Sequence, residues 1–127
     1  MKKFYKSAWL TILLALSSTA LSDTCKNSDE VVINKSSEIL GTPKNKLVVS
    51  KTFSQQNPAG DALDIIEIIM AIEDSLHIEI NDKELDEKTG SSDVTELPNK
   101  LTIKLLQETA AEACKKHMTR TSSGLPK

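Results

Sequence analysis

Aromatic residues are scarce in this sequence, and three of the four, Phe4, Tyr5 and Trp9, stand in its first ten positions. Phe53 alone remains for the rest of the chain, so any core must be built from aliphatic side chains. No apolar run reaches the ~20 residues that a membrane-spanning helix needs. Histidine is limited to His77 and His117, and neither stands at ligand spacing with a cysteine or with the other. Both read as surface or boundary residues rather than metal ligands. The sequence also lacks a glycine-rich phosphate loop and a Ser/His/Asp arrangement, so it offers no case for an enzyme and implies no cofactor.

What is present begins with Lys2, Lys3 and Lys6, an apolar run from Ala8 to Leu16, and small residues through Ala20 and Ser22. That order of charge, apolar run and small-x-small site reads as a secretory signal peptide over residues 1–22, with a mature chain starting near Asp23. A short retained membrane anchor is the alternative; with cleavage, no membrane contact is expected. Without the three leader lysines the count is 13 bases against 18 acids, a net charge of −5, which makes nucleic acid an unfavourable partner. About 105 residues remain, enough for one domain with one modest core.

Two cysteines survive, Cys25 and Cys114, in a chain sent to an oxidising compartment. A single bridge is the natural reading, worth ~4 kcal/mol in the chain-entropy model. Two free thiols or an intermolecular link are the alternatives. A lipidated Cys25 is disfavoured by the Ser22-Asp23-Thr24 that precedes it.

Along the mature chain, Val31, Val32, Ile39 and Leu40 recur at near-helical spacing, Ser28 or Asp29 can cap the start, and Gly41 with Pro43 ends the run. Thr42 to Gly60 reads as a long ordered loop, of a length that is usually functional or pinned. The strongest helical signal runs from Asp61, a capping residue, to Leu76. On it Asp64, Glu67, Ala71 and Asp74 fall on one side. From Thr52 to Asp82 there are seven acids and no lysine or arginine, which reads either as an ordinary solvated face or as a docking face that seeks a cation. A short helix is expected from Asn81 to Lys88 around Leu85, a connection from Thr89 to Lys100, and a last helix from Leu101 to Lys116. The domain is expected to close at Met118, with a flexible tail over residues 119–127.

The run Asp61-Ala62-Leu63-Asp64-Ile65-Ile66-Glu67-Ile68-Ile69-Met70, with Leu40-Gly41 and Phe53 before it and Glu79-Ile80-Asn81-Asp82 after it, resembles the acyl carrier protein family. The resemblance spans about Val31 to Ala110. It implies an all-α four-helix bundle, three long helices plus one short, with a long first loop. In that family the serine between Asp and Leu receives phosphopantetheine, and here that position is Ala62, which has no oxygen to modify. The resemblance thus implies a degenerate member that carries no acyl chain in the usual way. An extra residue between Phe53 and Asp61, and a longer connection before Leu101, depart from the family pattern. The tripeptide Asp74-Ser75-Leu76 offers a rival attachment site at Ser75, but nothing after it could form the long helix that the family places there. The family topology also implies that the start of the first helix and the end of the last lie at one end of the bundle, within reach of a Cys25–Cys114 bridge.

In the family, partner enzymes recognise the second helix through its charge. The carry-over implies a protein partner with a basic patch, docking on Asp61, Asp64, Glu67 and Asp74. The expected function is an exported interaction module, periplasmic or secreted, with a periplasmic immunity protein as one specific form. Binding of lipid or fatty acid in the helical core is the alternative, and a true acyl carrier using another serine a third.

Overall fold

The computed structural model describes residues 25–122, and the expected signal peptide lies outside them. The described residues form an all-α bundle: α1 (Ser28–Leu40), α2 (Ala62–Leu76), α3 (Asp82–Thr89), α4 (Leu97–Lys100) and α5 (Ile103–Ser122). The α1 helix packs against both α2 and α5. Its buried positions Ser28, Val32, Ser36 and Leu40 follow one another at intervals of four, so a single stripe faces the core. Gly41 then takes φ 68°, the left-handed turn that ends the helix, and the cap residue is Asn27, ahead of both expected caps, Ser28 and Asp29.

The Ser36 side chain is fully buried, and its hydroxyl has no hydrogen-bond partner. A buried hydroxyl without a partner gives up hydration for nothing, so Ser36→Ala should raise stability by about 1 kcal/mol. A lower urea midpoint for the variant would contradict this.

The α2 helix supplies the centre of the core with Ile65, Ile68, Ile72 and Leu76. To the same core α5 contributes Ile103, Leu106 and Ala110, all fully buried, and Leu101 precedes it. The core is aliphatic apart from Phe53, as composition required.

Residues 42–61 are pinned rather than loose. The amide side chain of the buried Gln56 accepts from Val48 N–H at 3.0 Å and donates to Val48 O at 2.9 Å and Lys51 O at 3.2 Å. Phe53 N–H donates to Leu101 O at 3.1 Å, and Gly60 N–H donates to Phe53 O at 2.8 Å. A Cβ at position 60 would lie 2.8 Å from the tip of the Leu40 side chain, so a larger residue there needs Leu40 to shift.

Two stretches depart from expectation. The connection Thr89 to Lys100 holds a one-turn 3-10 segment, Val94–Glu96, and the short helix α4, with Leu97 and Pro98 buried. The Asp93 carboxylate starts this turn, accepting from Thr95 N–H at 2.9 Å and its hydroxyl at 2.7 Å. Pro98 sits where a helix has no use for its N–H. At the other end, α5 runs on past Lys116 and Met118 to Ser122, into the stretch expected to be flexible. The Thr119 and Thr121 hydroxyls donate to Lys115 O and His117 O, one turn back along the helix. Positions 123–127 lie outside the described residues.

Cys25 and Cys114 are joined by a disulfide, with Cα atoms 5.8 Å apart. It ties the segment just before α1 to the fourth turn of α5, and it suits an oxidising, extracytoplasmic environment. Among the described residues, no helix is long and apolar enough to cross a membrane.

Candidate functional site: the outer face of α2 and the groove beside it

Helix α2 starts where Asp61 can satisfy its free N–H groups. Asp61 Oδ1 accepts from Asp64 N–H at 2.9 Å, and Asp64 Oδ2 accepts from Asp61 N–H at 3.0 Å. This reciprocal box gives both acids a structural task. Glu73 has one as well: its carboxylate accepts from Ile80 N–H at 2.7 Å and closes the turn into α3. Glu67 and Asp74 are exposed and have no such duty. The ion pairs Lys35–Glu38, Lys88–Glu112, Lys100–Glu96 and Lys116–Glu84 all use acids outside α2.

The side expected from Asp64, Glu67, Ala71 and Asp74 is therefore divided. Glu67 and Asp74 point outward, while Asp64 and Ala71 are half-buried on its flank. Two apolar residues stand between the acids on the outermost line, Leu63 at 63% exposure and Met70 at 61%, with Ile66 beside them at 38%. These three escaped the sequence reading because apolar residues on a periodic helix are counted toward its core. The signal was there in the apolar coverage of most of the α2 circumference, more than one buried stripe can use.

Beside this line, α2, α3 and the stretch before α4 enclose a groove of about 480 Å³. Ile66, Ile69, Met70, Leu85, Val94 and Leu97 form its apolar walls. Glu73, Asp82, Asp86 and Asp93 also line it, and no lysine or arginine does. The Thr95 hydroxyl and N–H hold the Asp93 carboxyl below its usual range, so it is ionised near neutral pH.

Ala62 opens α2, half-buried, at the position where the resemblance would place an attachment serine. Ser75 lies exposed in the last turn of α2. His77 ends that helix in a left-handed conformation and His117 is exposed on α5, far apart in sequence and in different elements. Among the described residues, no group of three or more His, Cys, Asp or Glu could hold a metal ion. What the region offers chemically is recognition: an exposed apolar line, a flank of free carboxylates and an acid-lined groove. No family model, no curated protein and no solved structure matches this chain.

Proposed function

We propose that this chain is an exported interaction module, related in build to acyl carrier proteins, that docks a protein partner on the outer face of α2. The observation that carries the reading is the exposure of Leu63 and Met70 among Glu67 and Asp74, acids that no base among the described residues pairs with. Large apolar side chains held out in water beside unpaired charge suit an interface with a partner that supplies apolar contacts and bases. Neutralising a delivered toxin, as a periplasmic immunity protein does, is the specific form of this function we favour.

Binding of a lipid chain is the second reading, favoured by the apolar walls of the groove. It is weaker because Glu73, Asp82, Asp86 and Asp93 would repel the carboxylate of a fatty acid at the mouth. A carrier role is weaker still, since Ala62 offers no hydroxyl for a prosthetic arm.

The test compares affinity capture from periplasm and culture fluid by the mature protein and by Glu67→Lys/Asp74→Lys. These two positions are chosen because neither holds the helix cap. A partner retained by the wild type should lose at least about tenfold in affinity to the variant, and more at low salt than at high. Equal retention of every captured protein would remove the docking face.

A further inference from the structure

We infer that the groove between α2 and α3 receives the apolar side of a cationic amphipathic helix belonging to the partner. This rests on the docking reading above and adds the chemistry of the occupant. The apolar walls call for aliphatic side chains, because Ile66, Met70 and Val94 stay partly in water until something covers them. The four carboxylates at Glu73, Asp82, Asp86 and Asp93 call for bases beside those side chains. They come from α2, α3 and the stretch before α4, so charge surrounds the apolar floor on more than one side.

A helix with lysines or arginines flanking an apolar stripe meets both demands, since long basic side chains lay their methylenes on apolar surface and keep their charge at the rim. A fatty acid meets only the first. Among the described residues there is an isolated bridge between Thr52 and Thr102 but no strand, so an extended peptide finds no sheet edge to join.

The test uses three labelled synthetic peptides of about five helical turns, followed by fluorescence anisotropy. One is built of leucine and lysine with the leucines on one face, the second is its scramble, and the third has glutamate in place of lysine. The first should bind the disulfide-bonded mature protein at least about tenfold more tightly than the other two. Met70→Glu and Asp86→Lys should each weaken that binding by about tenfold or more. Met70 is exposed and the Asp86 side chain makes no hydrogen bond, and circular dichroism of each variant checks that the fold is kept.

Equal binding of the scramble, displacement of the peptide by a fatty acid, or a dimer of this chain that excludes the peptide would each overturn the assignment. The two readings fail separately. A captured partner that needs Glu67 and Asp74 but ignores Met70 and Asp86 would sink the groove and leave the docking face. Peptide binding in the groove, with capture unaffected at Glu67 and Asp74, would do the reverse.

Discussion

Breaking the Cys25–Cys114 bridge should lower the stability of this domain by about 4 to 5 kcal/mol, the chain-entropy value for a closed loop with ends 89 positions apart. The bridge encloses nearly all of the described chain, so its loss releases nearly all of it in the unfolded ensemble. The folded side changes less: Cys114 is buried and Cys25 packs against the core, and both stay in place as thiols. A domain of this size has a total of about 5 to 15 kcal/mol, so the reduced protein should stand at the margin of folding. Urea denaturation with and without reductant measures the difference, and Cys25→Ala/Cys114→Ala repeats it without free thiols. A loss under about 1 kcal/mol would mean that the packing of α1 on α5 already holds these ends together in the unfolded ensemble. The same result would weaken the link between this fold and an oxidising compartment, since a bridge that adds nothing gives no reason to fold there.

The helices that could be read from the sequence are those whose period, cap and stop agree. Helix α1 was bounded by the spacing of Val32 and Leu40 and by Gly41, and α2 by Asp61 at one end and the last apolar position, Leu76, at the other. The four residues of α4 are too few to show a period, and they are helical because Leu97 and Pro98 bury themselves beside the Phe53–Gln55 turn. The extension of α5 was hidden for another reason. Its threonines and Arg120 carry no apolar stripe by which a sequence pattern could mark them as helical. Of the candidate site, the acids were legible and the apolar half was not. Glu67 and Asp74 stand out because no base accompanies them, whereas exposure of Leu63 and Met70 depends on what fails to cover them. The groove needed Leu85, Val94 and Leu97 brought to α2 from two later segments, which no local pattern records.

Replacement of Phe53 by alanine should cost about 3 to 5 kcal/mol and free the long loop along with it. Phe53 is the one aromatic side chain of the core and is fully buried. Its ring lies against Gly60, and its backbone binds Leu101 O on one side and accepts from Gly60 N–H on the other. A cavity there cannot be refilled by Gly60, which has no side chain, so little collapse can offset the loss. Phe53→Leu keeps much of the volume and should cost under about 1.5 kcal/mol. Denaturant midpoints give both values, and amide exchange shows where the damage lies. In the alanine variant the N–H groups of Gln56 and Gly60 should exchange much faster, while those of α1 and of the middle of α5 keep their protection relative to global unfolding. The consequence reaches the docking face through Asp61, which directly follows Gly60 and caps α2. A loop that opens frees the cap and frays the turn that presents Leu63, so partner affinity should fall in Phe53→Ala at positions the partner never touches. Wild-type affinity in a variant whose loop amides exchange freely would show that α2 holds its face without the loop, and that residues 42–61 serve stability alone.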